Sequence, residues 1–216
     1  MYAFLSYQSA DKLVAGRVKA LLDSVGIQSF LAHEDITVSE EWRLAILAEI
    51  GRADIFVALL SANYYESFWC VQESGIAAFR ADMLIIPLSI DGAIPQGLLG
   101  HIQSTRIDPD RPTRTDLFPA LAKRDVAFVI DRLVEAVAAS SSYRSAEGNF
   151  ADLLPFIPRA TDAQIVRLLV ASERNSQVCN AGLCATKYLP PLLQSHGALL
   201  DPAVRKRLEQ TLARYA

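Results

Sequence analysis

The chain has 216 residues, 51% of them hydrophobic and 21% charged, with a formal net charge of -3. These values exclude a disordered tail and give no global electrostatic reason to bind nucleic acid or an acidic membrane. No apolar run approaches the ~18 residues of a membrane span, and no basic region precedes Met1–Leu5 as in a signal peptide, so a cytoplasmic protein without membrane or nucleic-acid partners is expected.

The charge is uneven along the chain. Residues 1–149 carry 13 Lys/Arg against 19 Asp/Glu, and residues 150–216 carry 8 against 5. Three cysteines, Cys70, Cys179 and Cys184, lack CxxC spacing and read as reduced thiols rather than as a disulfide or zinc framework.

In chain order, Tyr2 to Ser6 reads as a buried first strand. Leu13, Val14, Val18, Leu21, Leu22 and Val25 recur at helical spacing, and Gly26 supplies a stop. Ile27 to Leu31 is a short second strand. A polar loop from Ala32 to Ser39 leads to a helix whose expected inner face is Trp42, Ile46, Ile50 and Ala53. Ile55 to Leu60 is an unbroken apolar run, as in a central parallel strand. A helix over 67–80 follows. Met83 to Ile90 is a fourth strand, in which Pro87 points to an edge or an early end. Gln103 to Ile107 is a weaker fifth strand, and one long helix, from Asp116 or Lys123 to Ala139, closes the unit. Alternating strand and helix signals predict a parallel sheet covered by helices.

Residues 140–149, opening with Ser140-Ser141-Ser142, read as a linker. Residues 150–216 read as a helical appendage. Thr161 to Gln164 forms a capping box, Asp201-Pro202 starts a last helix, and a helix over 181–195 is broken or kinked at Pro190-Pro191. Thr161 and Asp201 start similar helices about 40 residues apart, too few units for a repeat array. The expected organisation is thus 1–139, 140–149 and 150–216.

The histidines His33, His101 and His196 lie in unrelated contexts, so no metal site is expected. No GxSxG, GxGxxG or GxxxxGK[ST] pattern is present. Ser9 to Lys12 fits the short SxxK pattern of penicillin-recognising enzymes without their other motifs. The most informative stretch is Trp69-Cys70-Val71-Gln72-Glu73. Its indole and carboxylate share one helical face, where they could hold a nucleotide ring and act on the adjoining sugar. The same spacing also describes a core tryptophan over a solvated glutamate.

Together, Phe4-Leu5-Ser6-Tyr7 with Asp11, the loop His33-Glu34-Asp35-Ile36, Trp42, Leu59 to Tyr64 and Trp69 to Glu73 occur in an order and spacing that resembles the Toll/interleukin-1 receptor (TIR) domain family over about residues 1–138. The resemblance is strongest to bacterial TIR proteins. It implies a five-stranded parallel sheet wrapped by helices, of flavodoxin-like type. It also implies cleavage of NAD+, as substrate rather than cofactor, at the nicotinamide–ribose bond, with Glu73 as the catalytic acid. Nicotinamide leaves readily, and a carboxylate near the ribose stabilises the ribosyl cation without a metal. Water as acceptor gives ADP-ribose, and an acceptor atom in the same molecule gives a cyclic ADP-ribose.

The resemblance places Ser6, Tyr7, His33, Asp35 and Trp69 at the substrate. Ala32 to Ser39 corresponds to the family's BB loop, which gates the pocket and contacts a neighbouring TIR domain. There His33 replaces a basic residue, and Val38 a glycine or small residue. Cys70 reads as a packing residue and Trp42 as a core anchor for that loop. The implied partners are NAD+, other copies through TIR–TIR contacts, and a separate effector activated by the nucleotide product, as in Thoeris-like antiphage systems. A TIR domain with only a helical appendage fits such a diffusible product, and the appendage would sense a trigger or hold an oligomer. The alternatives are a non-catalytic adaptor acting through TIR–TIR contacts and a virulence factor perturbing host signalling.

Overall fold

A computed structural model describes residues 1–31 and 42–215. Five strands, β1 (Tyr2–Ser6), β2 (Gln28–Leu31), β3 (Ile55–Leu60), β4 (Leu84–Ser89) and β5 (Thr105–Arg106), form one parallel sheet in the order β2-β1-β3-β4-β5. β3 is buried along its whole length, as its uninterrupted apolar run requires. β5 reaches only Leu88 and Ser89, so at Pro87 the ladder of β4 runs on one side alone. A residue without an N–H is therefore tolerated in a strand that is otherwise interior.

Pleating sends alternate residues to opposite faces. Phe4 and Phe56, paired across β1 and β3, stack at 5.8 Å, and Phe30 of β2 joins them. Their face carries a core completed by α2 (Trp42–Arg52) through Ile46 and Ile50 and by α4 (Phe68–Phe79) through Cys70 and Ala77. Ser6 is in phase with Phe4, so its hydroxyl turns to the same side.

α1 (Lys12–Ser24) buries Ala15, Val18 and Leu22 and ends before Gly26, whose φ of 77° requires a residue free of Cβ strain. Leu13, one of the predicted apolar positions, is exposed. So is Trp42, which leaves the expected inner face of α2 to Ile46, Ile50 and Ala53. Trp42 is not a core anchor. A short helix absent from the sequence reading, α3 (Ala62–Glu66), is capped by the Ser61 hydroxyl, which accepts from Tyr64 N, and by Asp91 Oδ2, which accepts from Ala62 N.

The chain divides into two compact units, Met1–Ala120 and Leu121–Ala216. The expected single long helix is in fact two, α5 (Arg114–Arg124) and α6 (Val126–Ala138), because the Asp125 carboxylate caps a new helix by accepting from Phe128 N at 2.9 Å. The serine-rich stretch read as a linker holds the start of α7 (Tyr143–Leu153), for which Ser142 and Ser145 form a reciprocal capping box.

The second unit is helical throughout. α8 (Asp162–Arg174) starts at the expected Thr161–Gln164 box, followed by α9 (Ser176–Cys179). The expected break appears as a π-helical turn over Cys184–Tyr188, which leads into α10 (Leu189–His196) with its prolines in the first turn. α11 (Pro202–Leu212) is capped by Asp201. Phe150 stacks on Tyr188 at 5.2 Å within a core that includes Val129, Leu133, Leu168 and Leu208.

Candidate functional site

Strand order reverses between β1 and β3, so the crevice at the carboxyl ends of these strands is where ligands of an open parallel sheet gather. Ser6 ends β1 there, fully buried. Ser61 follows β3 and donates to Asp11 Oδ2 at 2.6 Å, tying together the two loops that leave the crevice.

α4 begins at Ser67, whose hydroxyl accepts from Cys70 N at 3.4 Å. From there the helix lays Cys70, Glu73 and Ala77 inward at helical spacing. Glu73 thus enters the buried layer between α4 and the sheet, 2% exposed. The Ser6 hydroxyl donates to Glu73 Oε2 at 2.5 Å. Among the described residues, Ser6 is the one hydrogen-bond partner of this carboxyl. Burial raises the Glu73 carboxyl to about 7, opposed by the Ser6 bond. Its proton is therefore in play near neutrality, as a working carboxyl requires.

Behind Ser6 stands Tyr64, fully buried, with its Oη 3.0 Å from Ser6 Oγ, 2.8 Å from Ser74 Oγ and 3.4 Å from the Cys70 carbonyl oxygen. Burial holds its phenol proton well above the usual range. Cys70 is buried in the core cluster, and burial pushes its thiol up to about 11. That removes it as a nucleophile and agrees with a packing role.

Of the residues singled out from sequence, Ser6 and Glu73 are brought into direct contact. Tyr7 follows β1 and is buried. Trp69 lies one turn before Glu73 on α4 with 40% of its surface exposed, while Glu73 is enclosed. His33, Asp35 and Val38 lie outside the described residues. Tyr64 and Ser74 were missed. Tyr64 stands within the quoted Leu59 to Tyr64 motif, three residues after the strand-ending Ser61, but only the fold shows that its hydroxyl meets Ser6 and Ser74.

No helix among the described residues is long and apolar enough to cross a membrane. A search of curated proteins returns no match. The family pattern described as TIR domain matches residues 3–121, which covers the sheet, α3 and α4.

Proposed function

Because the chain belongs to the TIR domain family, which includes both NADases and signalling adaptors, we propose that it is an NAD+-cleaving enzyme with Glu73 as its catalytic carboxylate. The observation that carries this reading is the Glu73 carboxyl, nearly enclosed at the switch point of a parallel sheet, held among the described residues by the Ser6 hydroxyl and titrating near neutrality. An acid placed only for solubility would face water.

In the proposed reaction the bond between nicotinamide N1 and ribose C1′ breaks, and its electron pair leaves with nicotinamide. Positive charge grows on the ribose. The Glu73 carboxylate stabilises that charge, and enclosure strengthens the interaction by excluding the water that would screen it. The nicotinamide ring of NAD+ is itself cationic, so bound substrate favours the ionised form of Glu73. Ser6 orients the carboxylate through Oε2. Trp69 supplies an exposed aromatic surface for stacking part of the nucleotide. Tyr7, His33 and Asp35 are proposed as further substrate contacts on the family resemblance.

Water as acceptor yields ADP-ribose, and internal capture yields a cyclic nucleotide. In the second case the product would act on a separate effector, in a bacterial antiphage response. Self-association through TIR–TIR contacts belongs to the same proposal. The adaptor reading draws on the exposed phenyl rings of Phe68 and Phe79 on α4, apolar surface suited to a protein partner.

The test is incubation of concentrated protein with NAD+ and identification of products by mass spectrometry, beside Glu73→Gln. The amide keeps the shape and loses the charge, and nicotinamide release should fall by about a hundredfold or more. Equal release from both proteins would remove Glu73 from the chemistry. Absence of release in any assembly state would favour the adaptor.

A further inference from the structure

We propose that Ser74, Tyr64 and Ser6 form a directional hydroxyl relay, with Tyr64 as its positioning residue, that carries the proton taken up by Glu73 during NAD+ hydrolysis to a cleft on the outer side of α4. The inference rests on the NAD+-cleaving reading above.

The direction follows from counting protons. Ser6 has one hydroxyl proton and gives it to Glu73 Oε2 at 2.5 Å. At the 3.0 Å contact between Ser6 Oγ and Tyr64 Oη, the phenol must therefore donate. Tyr64 has then used its only proton, so at the 2.8 Å contact Ser74 must donate to Tyr64. The Cys70 carbonyl, at 3.4 Å, is a more distant second acceptor for the phenol. With Glu73 ionised, the chain thus runs Ser74 to Tyr64 to Ser6 to carboxylate. With Glu73 protonated and donating to Ser6, each hydroxyl is free to turn its proton the other way, because either oxygen can donate at both remaining contacts.

Hydrolysis makes that reversal useful. As the water oxygen bonds to C1′, one of its protons passes to Glu73. The carboxyl passes it to Ser6, Ser6 passes its own to Tyr64, Tyr64 to Ser74, and Ser74 to water outside. One proton leaves, and each hydroxyl ends with one proton. Because Glu73 is 2% exposed and product fills the substrate side, this path frees the proton without waiting for product to depart. The outer terminus is open: half-buried Ser74 lines a cleft of about 410 Å³ with Tyr65, Val71, Gly75, Gln96 and Leu98.

The Cys70 carbonyl, 3.4 Å from the phenol, is the longer branch beside the 2.8 Å and 3.0 Å links of the path. Among the described residues, the titratable groups that face Glu73 are Tyr64 from α3 and Cys70 from α4, and burial keeps both neutral. β1 contributes Ser6, which does not titrate. A carboxyl that titrates at about 7 matches the neutral medium to which it would deliver.

Tyr64→Phe keeps the buried ring and removes both hydroxyl links. Two readouts separate a relay from packing. The first is the Glu73 midpoint in the ligand-free protein, followed by its infrared carboxyl band with Glu73→Gln as the subtraction control. Ser6 without its donor polarises less, so the midpoint should rise by about half a pH unit. The second is nicotinamide release above both midpoints. The first turnover should match the parent, because Glu73 starts ionised, and steady-state turnover should fall several-fold. Ser74→Ala, at the half-buried end, should move both in the same direction by less, and it carries the test alone if Tyr64→Phe does not fold.

An unmoved midpoint overturns the relay, whatever happens to thermal stability. A moved midpoint with undiminished steady-state turnover also overturns it, leaving Tyr64 an electrostatic neighbour. A moved midpoint in a parent protein that releases no nicotinamide removes the NAD+ step and, with it, the relay's task, while the hydroxyl chain itself stands.

Discussion

Ser6 and Glu73, 67 positions apart in the chain, meet at 2.5 Å, the hydroxyl at the end of the first strand donating to a carboxyl one helix turn beyond Trp69. The contact joins the sheet to α4, and the candidate chemistry stands or falls with it.

Glu73 should make both stability and activity depend on pH near neutrality. Its folded-state value is raised, from 4.5 to about 7. Between these values the folded form holds a proton that the unfolded form has released. This stabilisation is therefore fully present below about pH 4.5 and lost as pH rises through about 7, on the order of 3 kcal/mol in all. Chemical denaturation at a series of pH values should show that decline, and Glu73→Gln should flatten it. Activity should run the opposite way. The charged form does the work, so kcat/KM should rise through pH 7 to a plateau.

Trp69→Ala should separate binding from folding. The indole is 40% exposed at the start of α4, so stability should fall by only about 1 kcal/mol. Loss of a stacking surface should raise KM for NAD+ by up to about tenfold, with Trp69→Phe recovering most of it. Initial-rate kinetics beside a thermal melt check both.

Arg80, just past α4, donates through Nη1 to the carbonyl oxygens of Ile50 at 2.7 Å and Ala53 at 2.8 Å, and through Nη2 to Asp82 at 2.7 Å. It closes the end of α2 against the end of α4. Arg80→Met keeps much of the aliphatic stem but leaves both carbonyls without their donor, and should destabilise the protein by about 1–3 kcal/mol in urea titration. The ion pair with largely exposed Asp82 contributes little of this, so Asp82→Ala should lie near the parent.

In the helical unit, buried Gln164 closes the capping box by accepting from Thr161 N at 3.0 Å. It also donates to the Ala127 carbonyl oxygen at 3.1 Å and to Asp131 at 2.6 Å, joining α8 to α6. Gln164→Ala should lower stability by about 2 kcal/mol and Thr161→Ala by about 1, measured as the loss of helical circular dichroism in denaturant.

Much of the first unit was legible because its signals are local. The apolar run Ile55 to Leu60 is a buried parallel strand, and Gly26 does stop a helix. Two misreadings came from side chains that pair with backbone. Asp125 divides what periodicity reads as one helix, and Ser142 with Ser145 starts a helix inside a stretch whose composition suggests a tether. Trp42 shows the other difficulty: its spacing with Ile46 and Ile50 is helical, yet at the first residue of α2 it is exposed. Glu73 could be singled out from its neighbours in sequence. Its link to Ser6, and the approach of Tyr64 and Ser74, depend on elements that meet only after the sheet has ordered its strands.

At the amino edge of the sheet, Asp54 Oδ2 accepts from Tyr2 N at 2.9 Å, the Tyr2 hydroxyl bonds Glu49, and Arg52 lies over the Tyr2 ring at 4.2 Å. The first residues of a strand ordinarily fray unless something outside the ladder holds them. Here the first amide and ring of β1 are clamped to α2 and to the start of β3. Hydrogen exchange at Ala3 and Phe4 should consequently be as slow as at Phe56 and Val57, so breathing of the sheet is confined to its carboxyl edge, where a ligand would enter.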